Sequence, residues 1–187
     1  IKSISKASSV IVPIMAVGYV AGGLIIIFNN LELVVPALKM IFTYAFTGEA
    51  AVGGAIGAAI RYGVARGVFS NEAGMGSAPI AAAAAKTDHP ARQGLVSMTG
   101  TFIDTIIVCS ITGIVLVMGY IMAGNSFGDQ TGAVLTIGVF DKLLPGVGGW
   151  VVTFGIIFFA YSTILGWSYY GEKCATYLLG EKFVLPY

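Results

Sequence analysis

The sequence predicts an all-α integral membrane protein. Only 10% of its 187 residues are charged and 57% are hydrophobic, whereas a soluble domain carries roughly 25% charged residues. The apolar residues also form long blocks with little charge, which is typical of membrane-spanning helices rather than of a globular core. We therefore expect a chain that is surrounded by lipid bilayer over much of its length.

The charge and the metal-binding residue types exclude several classes of function. A net charge of +1 gives no basic field for nucleic acid. Cys109 and Cys174 lack metal-ligand spacing and are predicted to be small buried hydrophobic residues. The single histidine lies in a polar loop, so a nucleophile with a base in reach is not expected, and the chain is not predicted to be an enzyme.

The apolar blocks predict membrane spans at about residues 8–28, 93–123 and 150–179, each long enough to cross the hydrocarbon core. Residues 31–47 are interrupted by Glu32, Pro36 and Lys39, which predicts a short surface or re-entrant helix. Residues 124–149 read as a loop with a short helix at about 135–144. The chain starts without Met and ends in an apolar run, so we interpret it as an internal piece of a longer protein.

A further span, residues 50–86, is predicted to be broken near 68–76. It is longer than a span needs, and residues 66–79 read RGVFSNEAGMGSAP, with three glycines and a proline. These residues, with Ser and Asn, are poor helix formers. Irregular backbone at membrane depth is tolerated only where it packs in protein or lines a wet cavity. We expect a second half-helix at about 77–85, with Ser77 as its N-cap and Pro79 in its first turn.

Such a break has a chemical use, because freed carbonyls can ligate a cation and freed N–H groups can face a carboxylate. The alternative is a glycine-rich helix that only lets its neighbours approach closely. Glu72, Arg61 and Arg66 could form a proton relay or structural ion pairs, and Asp104 could be a pathway residue or an interhelical contact. The residues leave these alternatives open.

A second polar cluster lies at residues 161–170, YSTILGWSYY. Thr163 and Trp167 are four residues apart and share one helix face. A hydroxyl one turn from an indole suits a small ligand, since the hydroxyl can bind it and the ring can limit its size. The alternative is an aromatic belt at the membrane interface, made by Trp167, Tyr169 and Tyr170.

The two clusters resemble the alanine or glycine:cation symporters (sodium:alanine symporters). Residues 63–80, GVARGVFSNEAGMGSAPI, carry the resemblance, and it continues through residues 86–90, 92–95 and 102–105. Residues 161–173, YSTILGWSYYGEK, match a second block of that family. The likeness covers essentially the whole chain, and these motifs are long and unusual.

The resemblance implies a partial leucine-transporter-type inverted-repeat fold. The chain would run from core helix five to core helix eight, with helix six as the discontinuous one. The parent protein would be a multi-pass protein of the cell inner (plasma) membrane. The remaining core helices of the same polypeptide, including helix one, would then be needed to complete the site.

The resemblance also implies sodium-coupled symport of alanine or glycine by alternating access, with sodium as the coupling ion and no cofactor. The substrate residues carried over by position are Phe69, Ser70, Asn71, Gly74, Met75, Gly76, Thr163 and Trp167. Ser162 and Thr163 would ligate sodium. Alternatives are a proton-coupled amino-acid permease or a pore-forming membrane subunit. The sequence leaves open alanine against glycine, L against D stereochemistry, and sodium against proton.

Overall fold

The computed structural model describes residues 2–46, 67–72, 74–123, 127 and 130–181. Within these ranges all regular structure is helical. Most of the predicted first half of the broken span, with Arg61 and Arg66, lies outside the described residues, so their predicted roles stay predictions.

Six labelled helices follow one another in the described residues. They are α1 (Lys2–Asn29), α2 (Leu31–Phe46), α3 (Ser77–Ala82), α4 (Pro90–Ala123), α5 (Gly132–Leu143) and α6 (Gly148–Leu179). Residues 67–71 form one further helical turn. Three segments are long and apolar enough to cross a membrane: Ser9–Asn29 of α1 with 21 residues, α4 with 34 and α6 with 32. The expected all-helical membrane protein is confirmed at this level.

The polar residues before α4 determine where this helix begins. His89 is the N-cap, and its ring accepts a hydrogen bond from the Ala91 N–H at 3.2 Å. Pro90 occupies the first turn, where its missing N–H costs least. An exposed ion pair joins Asp88 to Arg92 at 2.9 Å. These signals explain why α4 starts a turn earlier than its apolar residues alone predict.

The core lies where α1, α2 and α5 pack on the second half of α4 and the first half of α6. Its fully buried side chains include Ile26, Val115, Met118, Val139 and Phe140. The short helix expected in the loop is therefore a core element, because α5 supplies Val139 and Phe140. Residues 124–126 and 128–129 of that loop are outside the described part of the chain.

Close helix contacts in this core depend on glycines. A Cβ at Gly22 would lie 2.8 Å from Val151, and one at Gly148 would collide with the Phe140 carbonyl. Small residues at helix contacts are common in membrane bundles, where they let backbones approach. A further link joins α1 to α4, where the Tyr19 and Thr112 hydroxyls are 2.7 Å apart. The helices are thus held at fixed positions at this end of the molecule.

The prediction that Cys109 and Cys174 are buried is wrong for the described chain, where both are exposed free thiols. Cys109 ends a π-helical segment of α4, Ile103–Cys109. Cys174 lies near the end of α6. Both positions are outside the buried core, which the apolar composition of their surroundings did not reveal.

Candidate functional site

The main chain is interrupted between the helical turn at 67–71 and α3. Glu72, Gly74 and Gly76 have φ values of 56°, 79° and 84°, which are left-handed conformations that a continuous helix does not contain. One short turn remains, in which the Met75 N–H donates to the Glu72 carbonyl at 3.2 Å. Peptide groups of this segment therefore point in directions that a helix would not allow.

The capping prediction for α3 is wrong. Gly76 is the N-cap, in a left-handed conformation, and no side chain caps the helix. The Ser77 hydroxyl instead donates to the Glu72 carboxylate at 2.7 Å, and Ser77 is buried, with 8% of its surface exposed. A buried hydroxyl needs a partner, and here the partner lies in the break. The helical residues before the break extend to 71, so the interruption is shorter than expected. The second half-helix is also shorter than expected, because α3 ends at Ala82.

On one side, two hydrogen bonds join the residues before the break to α4. The Ser70 hydroxyl donates to Asp104 at 2.7 Å, and the Asn71 amide donates to Thr105 at 3.1 Å. Asp104 and Thr105 belong to the π-helical segment of α4, and such segments occur frequently at functional sites. Asp104 therefore makes the interhelical contact that was one of its two sequence interpretations.

On the other side, aromatic rings join the break to α6. The Phe69 and Trp167 rings are stacked with centroids 6.4 Å apart and an interplanar angle of 22°. Trp167 also meets the edge of Tyr170 at 5.9 Å. Tyr170 and Glu72 line the same two cavities. Trp167 thus contacts a residue just before the break, and Tyr170 packs on Trp167, so these rings do more than form an interfacial belt.

Two cavities border the break. The first, of about 790 Å³, lies against α6, and residues lining it include Ser70, Glu72, Ser162, Thr163, Trp167 and Tyr170. The second, of about 730 Å³, lies against α4, and residues lining it include Asn71, Gly74, Gly76 and Asp104. Ser70, Glu72 and Tyr170 line both. Of the predicted site residues, Phe69 reaches the first cavity only through Trp167, and Met75 lines neither.

The hydroxyls of Ser162 and Thr163 share one acceptor. Both donate to the Phe159 carbonyl, at 3.0 Å and 2.8 Å. A hydroxyl that has donated its proton keeps its oxygen lone pairs for another group. Because both residues line the first cavity, these oxygens are placed to accept a hydrogen bond or to ligate a cation.

The site lies near the middle of both long helices that flank it. Asp104 and Thr105 are near the centre of α4, and Ser162 and Thr163 are near the centre of α6. A helix rises about 1.5 Å per residue, so a position at the centre of a spanning helix is far from both membrane surfaces. If α4 and α6 cross the bilayer, the break between them is at mid-depth.

Sequence reasoning missed the hydrogen bond between Ser77 and Glu72 and the position of Tyr170 in the walls of both cavities. Tyr170 is three residues after Trp167 and so shares its helix face, which is the signal that could have included it. No comparable signal indicated the π-helical segment or the contact between Ser77 and Glu72. The contact between Ser77 and Glu72 depends on the left-handed backbone at Glu72 and Gly76.

Long apolar helices around an interrupted helix, with polar side chains at mid-helix, are features of membrane transporters. The sequence matches the model of the Sodium:alanine symporter family over residues 1–187, and the chain belongs to this family. The family is one of transport proteins of the plasma membrane. Membership therefore confirms the resemblance and the interpretation as part of a multi-pass membrane transporter rather than an enzyme.

Relatives with related names align along the whole chain. The sodium/alanine symporter AgcS of Methanococcus maripaludis is 60% identical over 187 residues, 100% of this chain. A putative sodium/proton-dependent alanine carrier protein, YrbD of Bacillus subtilis, is 39% identical over 95% of this chain. A probable sodium/glutamine symporter, GlnT of Bacillus subtilis, is 40% identical over 97% of it.

This chain spans only part of each relative. The alignment covers 41% of AgcS, 39% of YrbD and 37% of GlnT. Residues outside this chain in the relatives therefore make up more than half of those proteins.

We predict that the left-handed conformation at Gly76 can be detected by substitution in the full-length parent. Gly76→Ala should lower stability by about 1 kcal/mol, because an L side chain disfavours this conformation. Gly76→Asn should cost less, since Asn tolerates it better. Thermal melting of the purified protein in detergent measures both.

The control is Gly94→Ala, a helical position at which a Cβ meets nothing within 4 Å. Equal melting temperatures for Gly76→Ala and Gly94→Ala would contradict the interrupted backbone.

Proposed function

We propose that this chain forms the substrate-holding part of a sodium-coupled symporter that carries alanine or glycine into the cell by alternating access. The observation that carries the proposal is the set of residues that line the cavity against α6. Ser70 and Glu72, at the start of the interruption, line this cavity together with Ser162, Thr163 and Trp167, which lie near the middle of α6. Family membership supports the same function.

A zwitterionic amino acid needs a hydrogen-bond acceptor for its ammonium group and a donor for its carboxylate. Peptide groups in the break offer both kinds of partner within a few residues. We assign this role to the backbone from Ser70 through Gly76, including Asn71, Gly74 and Met75. Because these groups are dipoles rather than ions, they bind a neutral ligand without leaving an unpaired charge.

The coupling ion is assigned to the hydroxyls of Ser162 and Thr163. Sodium is a hard cation, and hard cations take several oxygen ligands. Both hydroxyls donate to the Phe159 carbonyl and so direct lone pairs elsewhere. Main-chain carbonyls from the rest of the polypeptide would complete the ligand set, with core helix one as the proposed source.

We assign the limit on substrate size to the rings of Phe69 and Trp167. Phe69 and Trp167 stack on each other, and Trp167 lines the cavity that also contains Thr163. An indole is the largest of the natural side chains. The ring therefore limits the cavity to a small side chain such as the methyl group of alanine.

The proposed fold is the inverted-repeat arrangement of leucine-transporter-type proteins. On this proposal α1, the broken helix with α3, α4 and α6 are core helices five, six, seven and eight. The helices in this chain then belong to two different repeats, so no internal duplication is expected within it. The remaining core helices close the site.

Sodium coupling is tested with the full-length parent protein in proteoliposomes. We expect uptake of labelled alanine when sodium is outside, and at least a tenfold loss when choline replaces sodium, since one driving gradient is removed. Uptake that persists in choline but needs an inward proton gradient would favour a proton-coupled permease. Competition by unlabelled glycine, D-alanine and glutamine then ranks the substrates.

Uptake that neither saturates nor depends on sodium or protons would contradict the proposal and favour a pore.

We predict that the Thr163 hydroxyl contributes to sodium binding. Thr163→Val keeps the side-chain shape but removes the oxygen, and it should raise the sodium concentration for half-maximal uptake about tenfold, equivalent to about 1.4 kcal/mol. Thr163→Ser should keep the wild-type value. The measurement is alanine uptake at varied sodium concentrations.

Thr153→Val is the matched control, because Thr153 also bonds to the carbonyl one turn before it, at 2.7 Å, but lies earlier on α6. A similar change in both variants would assign the effect to loss of the helix hydrogen bond instead.

We predict that a smaller residue at Trp167 admits larger amino acids. Trp167→Leu should make unlabelled leucine compete about tenfold better for alanine uptake, because discrimination by a pocket of this kind is worth about 1–3 kcal/mol. Trp150→Leu is the control, since Trp150 is exposed at the other end of α6. Lost alanine uptake with no gain of a larger substrate would show that Trp167 is not the size limit.

A further inference from the structure

Two neighbouring residues before the break are hydrogen-bonded to two neighbouring residues of α4. Ser70 donates to Asp104 at 2.7 Å, and Asn71 donates to Thr105 at 3.1 Å. Each bond spans 34 positions of the chain, so the contact is tertiary and does not follow from local helix geometry. The proposed transport function uses the backbone of Ser70 and Asn71 for the substrate but assigns nothing to their partners on α4.

The π-helical segment of α4, Ile103–Cys109, explains how one hydroxyl meets two positions of that helix. The Ser70 hydroxyl lies 2.7 Å from the Asp104 carboxylate and 4.0 Å from the Cys109 sulfur. Asp104 and Cys109 are five residues apart, which is one π-helical turn, because π-helices bond residue i to residue i+5. In an α-helix, residues three and four apart share a face, so Val108 would lie over Asp104 instead.

The wider turn gives this part of α4 two neighbours at once. Asp104 and Cys109 face the residues before the break, while Val108 packs against the hydrophobic core. It is the only π-helical segment in the described ranges, with seven residues. Such segments are rare and occur frequently at functional sites, so its position beside the break indicates a role there.

The contact with α4 lies immediately before the interruption. Asn71 is followed by Glu72, whose φ of 56° begins it. The acceptor of the Ser70 bond is a carboxylate, and hydrogen bonds to ionised groups are about twice as strong as neutral ones. The first peptide groups of the break are therefore held at a fixed position relative to α4.

We propose that Asp104 and Thr105 are positioning residues for the substrate. Through Ser70 and Asn71 they hold the start of the break in the conformation that binds the amino acid, and the π-helical segment brings Asp104 into place. Asp104 lines the cavity against α4, but in this role it acts through Ser70 and does not contact the substrate. This inference rests on the proposed transport function and adds a role for α4, to which that function assigns no residue.

The first experiment measures the KM for labelled alanine and the maximal uptake of the full-length parent in proteoliposomes. Asp104→Leu removes the acceptor and should raise the KM about tenfold, the effect of losing one hydrogen bond to a charged group. Asp104→Asn keeps an acceptor oxygen and should raise it only about threefold, since a neutral bond is weaker. Asp88→Asn is the charge control, because Asp88 pairs with Arg92 away from the break, and should leave the KM unchanged. A purely structural role would lower maximal uptake without changing the KM.

A double-mutant cycle separates positioning from direct contact with the substrate. In the Ser70→Ala background, Asp104→Leu should have little further effect on the KM, because the bond is already absent. Effects of the two substitutions that add would show that Asp104 acts independently of Ser70, as a group that binds the substrate ammonium would. That result would overturn the inference.

The second bond is tested by the same cycle with Asn71→Ala and Thr105→Val. Thr105→Val should raise the KM about threefold, since this bond is neutral, and should have little effect in the Asn71→Ala background. Thr99→Val is the matched control, because Thr99 lies on the same helix and donates to the Val96 carbonyl at 2.7 Å. Equal changes in the KM for Thr99→Val and Thr105→Val would count against a role for the second bond.

The second experiment tests the π-helical register without measuring transport. In a full-length background without other cysteines, Ser70→Cys is oxidised with copper phenanthroline, either with native Cys109 or with Val108→Cys in a Cys109→Ala chain. A disulfide should form with position 109 and not with position 108, because thiols on side chains that point apart cannot be bridged. Peptide mass spectrometry measures both yields. A yield at 108 that equals or exceeds the yield at 109 would overturn the inference.

The outcomes separate this inference from the transport function. If wild type takes up alanine with sodium but Asp104→Leu leaves the KM unchanged, the inference is wrong and the function stands. If wild type takes up no amino acid, the function is wrong, and the substrate role of Asp104 is wrong with it whatever register the disulfides report. If Asp104→Leu does not fold, Asp104→Asn replaces it in the cycle with Ser70→Ala, and an unchanged KM would overturn the inference.

Discussion

A helix that stops inside a bilayer leaves peptide groups without helical partners, and hydrocarbon offers them none. The break at residues 72–76 can exist only because neighbouring side chains surround it. Asp104 and Thr105 receive hydrogen bonds from the residues before it, and Ser77 bonds to Glu72 across it. Phe69 and Trp167 cover it on the α6 side. Several of the polar residues that stabilise the break also line the two cavities beside it.

The two long helices connect this site to the core. The second half of α4 and the first half of α6 are fixed by the buried contacts of α1, α2 and α5. The central residues of the same two helices hold the break. Because a helix is stiff along its axis, we expect the packing around Met118 and Val152 to influence the distance between Asp104 and Thr163. Substitutions in the core can therefore alter the site without touching it.

The sequence predicts those features of the fold and the site that depend on residues close together in the chain, and it does not predict contacts between distant residues. The glycines, Ser and Asn at 66–79 act locally, so the position of the break was predictable to within a few residues. The pairing of Thr163 with Trp167 follows from helix periodicity and is also local. The cap was wrong because Ser77 finds a partner in Glu72, a contact that depends on the turn itself. The bond from Ser70 to Asp104 spans 34 positions, and no single-sequence pattern reports such a contact.

The carboxylates of the proposed site are hydrogen-bonded to hydroxyl groups of the protein. Asp104 lies near the middle of α4 and Glu72 lies in the break, and an unpaired charge at either place within a membrane is costly. Each carboxylate accepts a hydrogen bond from a hydroxyl at 2.7 Å. Their lone pairs are thus partly committed to the protein, and the oxygens left in the cavity for a cation include the neutral hydroxyls of Ser162 and Thr163. A site of neutral oxygens binds sodium less tightly than a fixed negative charge does. Turnover requires ion binding that is weak enough for release. A site in which hydroxyls ligate the ion and carboxylates hold the backbone therefore suits a transporter better than a site in which carboxylates ligate the ion.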